Sequence, residues 1–333
     1  MRIALIGCGK QAEKHISGLR AAGIEDIVIA DSNIDAAISL SEAQQLPVKS
    51  VEDAISDPEV KAVDICTPTS SHADLIRMSV ANNKDWICEK PLCNTLAEAQ
   101  ELERITSERN LIGMVGFIYR FAPAFEEASR VFSSDRHSDV LGNINSVSFR
   151  IGGRGGHRLW KHLKCERGGA INEMLVHMLD LAIWYFGKVI SVEINDLDLR
   201  RPIREVEGIE QSVDAEDYVT LKVQTESGIL INLQADLITP AFTQFMEVQG
   251  DNGSFFGSIQ KEFPNYVYLI SPAGGYKPGY NQIEFVTSRL FDVQMRAFVR
   301  AISSRNAPCR STVADSVKVM EAMQLIKDAC EAR

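Results

Sequence analysis

The chain has 333 residues, 45% hydrophobic and 24% charged, with a formal net charge of −10. That length exceeds one ordinary core and suits two domains of a folded globular protein. The acidic balance, without a long Lys/Arg block, excludes a phosphate-backbone footprint and with it a nucleic-acid partner. Apolar runs such as Ile27–Ala30 and Met174–Phe186 are short or carry charges, so no membrane span of roughly 20 residues is expected.

In chain order, Arg2–Ile6 reads as a strand and Gln11–Ala22 as a helix, followed by strand Asp26–Ala30 and helix Ile34–Gln45. The alternation continues with strand Val63–Cys66, helix His72–Asn82, strand Asp85–Cys88, helix Thr95–Glu108 and strand Ile112–Phe117. Short strands separated by helices require crossovers, hence a parallel, doubly wound sheet. After Arg120 the pattern changes. Ile144–Ile151 alternates, Ile171–Phe186 is helical, and strands follow at Val189–Leu197, Tyr218–Val223, Ile229–Leu237, Phe242–Gly250 and Ser254–Ile259. Turns such as Glu226-Ser227-Gly228 imply antiparallel pairing. Helices at about Val286–Ser303 and Ala314–Ala332 close the chain. The expected fold class is α/β: a doubly wound parallel-sheet domain over residues 1–120, then an α+β domain over residues 121–333. The last helices are expected to pack back on the first domain.

Two further features suggest a cytoplasmic setting. The N-terminus runs straight into a strand without a small-residue cleavage site. Seven scattered cysteines (8, 66, 88, 93, 165, 309 and 330) show no zinc-ligand spacing, so reduced thiols and no metal are expected.

Gly7-Cys8-Gly9-Lys10-Gln11-Ala12 is the G-x-G-x-x-A form of a dinucleotide fingerprint, between a strand and a helix. Gly7 permits a tight turn, Gly9 lets a pyrophosphate approach the backbone, and Ala12 allows close helix–sheet packing. The helix start then offers N–H groups to the phosphates, bordered by Lys10 and Gln11. Asp31 ends the second strand, where a carboxylate accepts from both ribose hydroxyls and repels a 2′-phosphate, favouring NAD over NADP.

Thr67 and Pro68 end the third strand at the ligand-binding edge of the sheet, and Ser70 or Ser71 can cap the next helix. His72 is either near the cofactor or an ordinary first-turn residue. Cys88-Glu89-Lys90-Pro91 ends the fourth strand, placing Glu89 and Lys90 on the edge of the glycine loop. A lysine there can hydrogen-bond a substrate oxygen and stabilise a developing alkoxide. The Lys90–Pro91 bond can be cis or trans.

These residues resemble the glucose–fructose oxidoreductase/inositol dehydrogenase family (Gfo/Idh/MocA). The resemblance covers nearly the whole chain. It rests on Gly7–Ala12, Thr67-Pro68 with His72, Glu89-Lys90-Pro91, Gly116-Phe117-Ile118-Tyr119-Arg120-Phe121, Gly142-Asn143-Ile144, and Gly168-Gly169-Ala170 with His177-x-x-Asp180. It implies a Rossmann domain followed by a substrate-binding α+β domain with a large, mostly antiparallel open sheet, often used for dimer or tetramer contacts.

Glu173 and His177 stand at i and i+4 and share a helical face. Glu173 can fix the tautomer of His177, whose other nitrogen takes a hydroxyl proton. Relatives of this kind use lysine, an aspartate one turn before the histidine, and the histidine. Glu173 at the aspartate position is a departure, and the longer side chain can pair differently or contact substrate. Leu175 stands where glycine is common. Asn172 precedes Glu173 on the same segment and is expected on the substrate. The family resemblance also places the basic loop Arg154, His157, Trp160 and Lys161 along the substrate site. There the cations suit phosphate or carboxylate and the indole can pack on a sugar or base. The alternative is a surface loop paired with the acidic body. Tyr119 is expected at the nicotinamide end and Arg120 on the substrate, with Asn281 and Gln282 as weaker candidates.

The leading expectation is therefore an NAD-dependent dehydrogenase or reductase of a sugar, sugar acid, cyclitol or nucleotide sugar, with Lys90, His177 and Glu173 in the catalytic set. A non-catalytic cofactor sensor on the same fold is the alternative, although it needs no lysine–histidine pair.

Overall fold

The computed structural model describes residues 1–132, 136–154, 158–206, 208–284, 289–306 and 310–332. It divides into two compact units, Met1–Phe121 with Thr287–Met320 and Ala122–Val286 with Glu321–Arg333.

The first unit carries β1 (Arg2–Ile6), α1 (Ala12–Ala21), β2 (Ile27–Ala30), α2 (Ile34–Gln44), α3 (Val51–Ser56) and β3 (Val60–Ile65). It continues with α4 (His72–Ala81), β4 (Asp85–Cys88), α5 (Leu96–Glu108) and β5 (Gly113–Val115). The strands pair in parallel in the order β2-β1-β3-β4-β5. The chain leaves β1 to one side for β2 and returns to the other for β3, which makes β1/β3 the topological switch point where such sheets bind ligands. Burial explains the strands: every residue of β2 and β4 is buried, as expected for a sheet covered on both faces. Helix starts are fixed by side chains, with Asn33 accepting from two N–H groups and Thr95 and Glu98 forming a capping box.

The second unit begins with α6 (Pro123–Val131), β6 (His137–Ser138) and β7 (Gly142–Gly152). A π-helical turn at Ile171–Leu175 runs into α7 (Val176–Phe186), followed by β8 (Val189–Asp198), β9 (Ile203–Val206) and β10 (Ile209–Ser212). Then come β11 (Tyr218–Thr225), β12 (Leu230–Asp236), β13 (Thr243–Gly250), β14 (Gly253–Gly257), β15 (Tyr266–Leu269) and β16 (Gly279–Gln282). Among the described residues the large sheet has the order β16-β15-β14-β13-β7-β12-β11-β8, with β6 beside β7. Its pairs are antiparallel except for the central β7–β12 pair, which is parallel. Alternating burial along β11 and β13 shows one face packed and the other partly exposed. The hairpin β9–β10 forms a separate two-stranded ribbon.

The chain closes with α8 (Leu290–Ser304) and α9 (Val313–Glu331). Helix α8 packs in the first unit, where Met295 and Phe298 join Ile3, Ile16, Leu19 and Ile29 in one buried cluster. Gly18 of α1 makes that contact possible: a Cβ there would lie 2.8 Å from both Met295 Cγ and the Phe291 carbonyl oxygen.

Candidate active site

The glycine loop fits a dinucleotide on two observations. Gly7 has φ +101°, and a Cβ on it would lie 2.8 Å from the backbone of Cys66 and Thr67 across the switch point. Gly9 has nothing within 4 Å of an added Cβ, so the loop opens toward the ligand side. Lys10 and Gln11 are exposed beside it, and Ala12 is fully buried beneath α1. The Asp31 carboxylate ties the loop to β2, accepting from Cys8 N at 2.7 Å and Asn33 N at 2.8 Å. An ionised carboxylate offers about four acceptor sites, so Asp31 retains capacity for ribose hydroxyls. Burial and Asp31 push the Cys8 thiol up to about 12, making it an inert neighbour.

Lys90 follows β4 at the same sheet edge, since Glu89 N donates to Ile65 O of β3, and the Lys90–Pro91 bond is cis. Its surroundings contain two histidines. His15 of α1 is fully buried, with Nδ1 2.9 and 3.0 Å from the two Asp64 oxygens and Nε2 3.0 Å from Glu89 Oε1. The second Glu89 oxygen accepts from Lys90 N at 3.1 Å. Burial alone would push the Glu89 carboxyl up, but His15 and Lys90 hold it down at about 2. Burial likewise opposes protonation of His15, yet Asp64 keeps the imidazole well above its ordinary pKa. Glu89, expected on the cofactor, is thus engaged by His15 and the Lys90 backbone.

His72, also expected on the cofactor, is buried, with Nδ1 2.9 Å from Pro91 O and Nε2 2.8 Å from Thr67 O. Both ring nitrogens lie against backbone carbonyls, one at the end of β3 and one in the Lys90–Pro91 segment; burial holds the ring below its ordinary pKa, so its single N–H donates to one of them. Ser71 binds Thr67 Oγ1 and Pro68 O rather than capping α4 with its side chain. Among the described residues, His15, Asp64 and Cys66 form a grouping with metal-like spacing. Both Asp64 oxygens already sit on Nδ1, and burial with Asp64 pushes the Cys66 thiol up, so a hydrogen-bonded cluster accounts for it.

In the second unit, two glycines bring the basic segment against the His177 helix. A Cβ on Gly168 would lie 2.4 Å from the Lys161 backbone, and one on Gly169, at φ +108°, 2.2 Å from Glu216 Oε1. Glu216 accepts from Ile171 N at 3.1 Å and secures the start of the π turn. The helix read over Ile171–Phe186 therefore opens with i→i+5 bonding, a feature frequent at functional sites. Glu173 lies on that turn, where Lys161 Nζ reaches its Oε2 at 2.5 Å. Lys161 also stands 5.1 Å over the ring of Trp160, which is 40% exposed. The Asn172 amide donates to Gly168 O at 3.4 Å, and His177, partly buried, follows on α7. Arg154 is exposed beyond β7, and His157 lies outside the described residues.

At the periphery, Arg120 and Asn281 both bond within the chain. Arg120, expected on the substrate, is fully buried and donates to Asp315 Oδ2 at 2.9 Å, a tie between the segment after β5 and α9. Asn281 binds the N–H and carbonyl of Lys277 and so closes its own turn. Tyr119 lies one residue before Arg120, partly buried, with burial pushing its phenol up. Sequence reading missed His15, Asp64 and Glu216. His15 carried the one available signal, its place in the first turn after the fingerprint.

Comparison with known proteins follows the same division. Residues 1–117 match the model described as "Oxidoreductase family, NAD-binding Rossmann fold". Residues 137–333 match "Oxidoreductase family, C-terminal alpha/beta domain". The chain is 25% identical over 312 residues to an inositol 2-dehydrogenase of Rhizobium meliloti (strain 1021), covering 91% of this chain and 88% of that one. It is 28% identical over 284 residues to a scyllo-inositol 2-dehydrogenase (NAD(+)) of Bacillus subtilis (strain 168), covering 82% and 78%. Among solved structures, a levoglucosan dehydrogenase in complex with NADH and levoglucosan superposes with a TM-score of 0.85 at 20% identity, covering 100% of this chain and 97% of that one.

Proposed function

The chain belongs to the Gfo/Idh/MocA oxidoreductase family as an NAD-dependent dehydrogenase of CH–OH groups, and we propose that it oxidises one hydroxyl carbon of a sugar or cyclitol. Gly7, Gly9, Lys10, Gln11 and Ala12 hold the pyrophosphate and Asp31 the adenosine ribose. Thr67, Pro68 and Tyr119 border the nicotinamide side. When bound, the nicotinamide supplies the hydride acceptor. Lys90 hydrogen-bonds the reacting oxygen and stabilises its developing negative charge. His177 takes the hydroxyl proton, and Glu173 orients the site from the π turn.

The observation that carries this reading is the shared sheet edge of the first unit. Gly7 abuts Cys66 and Thr67 at the β1/β3 switch, and Lys90 follows the next strand, held by the Glu89–Ile65 backbone bond. A loop that admits a pyrophosphate and a lysine at the same edge are what hydride transfer from a carbinol requires.

Lys161 guides the choice of substrate. Its charge is committed to Glu173 and to the Trp160 ring, so Trp160 and Asn172 beside it frame a neutral polyol better than a sugar acid or nucleotide sugar. The curated relatives named for inositol and the solved relative named for levoglucosan fit that preference. The test is absorbance of reduced nicotinamide with NAD and a panel of free sugars, cyclitols, sugar acids and nucleotide sugars. Turnover confined to uncharged rings supports the reading; turnover confined to anionic substrates overturns it.

A homodimer or homotetramer through the large sheet fits the same reading. On its partly exposed face the rings of Phe245, Phe256 and Tyr266 stack in series, and 75%-exposed Tyr280 stands against Tyr266. Contiguous apolar surface of that kind calls for cover, and sedimentation as a strict monomer would remove the assembly. Among the described residues no helix is long and apolar enough to cross a membrane. Cys8, Cys66, Cys88 and Cys165 are free thiols, which suits a reducing cytoplasm.

A further inference from the structure

We infer that His15 is a buried imidazolium whose task is to position Lys90, by gripping Asp64 with one ring nitrogen and Glu89 with the other. The inference rests on the catalytic reading of Lys90 and goes beyond it to a residue outside the reacting set.

The geometry leaves few alternatives. Nδ1 lies within 3.0 Å of both oxygens of Asp64, and Nε2 lies 3.0 Å from Glu89 Oε1. An ionised carboxylate accepts and never donates, so each ring nitrogen must carry a hydrogen, and only the imidazolium carries both. The neutral ring would leave one nitrogen lone pair against a carboxylate in a site that excludes water. Asp64 and His15 are fully buried, and Glu89 is largely so. Two buried carboxylates without a cation between them would be strongly destabilising.

The charged and titratable groups facing His15 are Asp64 and Cys66 from the β3 side and Glu89 from the β4 side, with Lys90 adjoining Glu89. Among the described residues, helix α8 contributes the ring of Phe291, 5.2 Å from the imidazole. The ring thus bridges α1, β3 and the end of β4. From Glu89 the chain of bonds passes directly to Lys90, whose N–H donates to Glu89 Oε2. Gly116 closes the other side: a Cβ there would lie 3.1 Å from Glu89 Cα and 3.2 Å from Oε2. On the far side of Lys90, a ring nitrogen of His72 lies 2.9 Å from the Pro91 carbonyl oxygen. Lys90 therefore stands between two residues, each beside a buried histidine. A small displacement of a reacting group costs about a hundredfold in rate, which is the scale of effect expected when the grip of His15 is lost.

The test combines a spectroscopic and a kinetic readout on the full chain. In protein labelled with ¹⁵N-histidine, His15→Gln identifies the His15 resonances by their loss. Both ring nitrogens are expected at protonated N–H frequencies, unchanged from about pH 5 to pH 8. A neutral tautomer at pH 7, or stoichiometric zinc displacing the Nδ1 proton, overturns the charge state. Kinetically, His15→Gln is expected to lower kcat about a hundredfold on whichever sugar or cyclitol the panel shows to be turned over, while NADH still quenches the protein fluorescence at similar concentration. If His15→Gln folds poorly, the His15→Gln/Asp64→Asn pair removes the excess buried charge and carries the same kinetic prediction. Loss of kcat only in step with lost NADH binding would mean a structural role and overturn the inference. Unchanged kcat in the His15 variants, with Lys90→Met inactive, overturns positioning and leaves the Lys90 reading standing. Full activity of Lys90→Met instead removes the Lys90 reading and the positioning role with it, while the ¹⁵N spectrum still decides the charge of His15.

Discussion

Lys161 Nζ lies 2.5 Å from Glu173 Oε2, joining the basic segment of the second unit to the turn that leads into His177. The pair is mostly shielded, with side chains 30% and 11% exposed, so it is worth more than a surface ion pair. Lys161→Met and Glu173→Gln are each expected to lower kcat/KM. Their double variant should fall short of the summed losses by about 1 kcal/mol of coupling. Steady-state kinetics on the four proteins measures it; strict additivity would show that the pair is incidental.

Asp31 carries the cofactor preference. Asp31→Ser removes a carboxylate that repels a 2′-phosphate and accepts from ribose, so NADP should bind about tenfold more tightly and NAD more weakly. Fluorescence titration with both reduced cofactors checks this. A wild-type chain that already prefers NADPH would contradict the role given to Asp31, which its bonds to Cys8 N and Asn33 N would then explain as structural.

Two glycines separate folding from binding. A Cβ on Gly168 meets the backbone of Lys161 at 2.4 Å, whereas one on Gly9 meets nothing within 4 Å. Gly168→Ala is expected to destabilise by roughly 2–3 kcal/mol, lowering Tm by roughly 5–10 °C. Gly9→Ala should leave Tm within about a degree and weaken NAD binding, because its Cβ takes the space a pyrophosphate needs. Thermal melts with and without NAD distinguish the two, and equal behaviour would sink the distinction.

The alternating strand and helix pattern of the first unit was legible because short buried strands and amphipathic helices leave strong local signals. Asp85–Cys88, for example, is the observed β4. The fingerprint and Lys90 were legible for the same reason, each lying in a contiguous motif at a strand end. What sequence could not show was contact between distant segments. His15 and Asp64 lie 49 residues apart and Lys161 and Glu173 lie 12 apart across two glycines. Nothing local to Arg120 announces Asp315, 195 residues onward, as the partner of its guanidinium. The ribbon β9–β10 escaped because Ile203-Arg204-Glu205-Val206 is short and charged, with weak strand patterning. The π turn escaped because periodicity over Ile171–Phe186 reports a helix and not its bonding register.

The buried charges predict how stability varies with pH. Glu89 is held at about 2, below its ordinary 4.5. Its contribution is therefore full above about pH 4.5 and is lost as pH falls toward 2. His15 is raised well above 6.5, so its contribution is full below 6.5 and is lost progressively as pH rises from there through the elevated folded value. Urea unfolding from pH 3 to pH 9 should show loss at the acid end that is reduced in Glu89→Gln. The His15→Gln variant should lack the alkaline decline associated with this cluster. Parallel profiles in wild type and both variants would contradict the assignment.

On the function proposed above, Lys90 and His177 perform the chemistry while the glycine loop holds the cofactor. The most direct measurement is turnover, beside NADH binding, in Lys90→Met and His177→Ala with the sugar or cyclitol that gives sustained reduced nicotinamide in wild type. A loss of about 10²–10⁴-fold in kcat is expected for each variant, with NADH binding retained. Full turnover in both variants would contradict it.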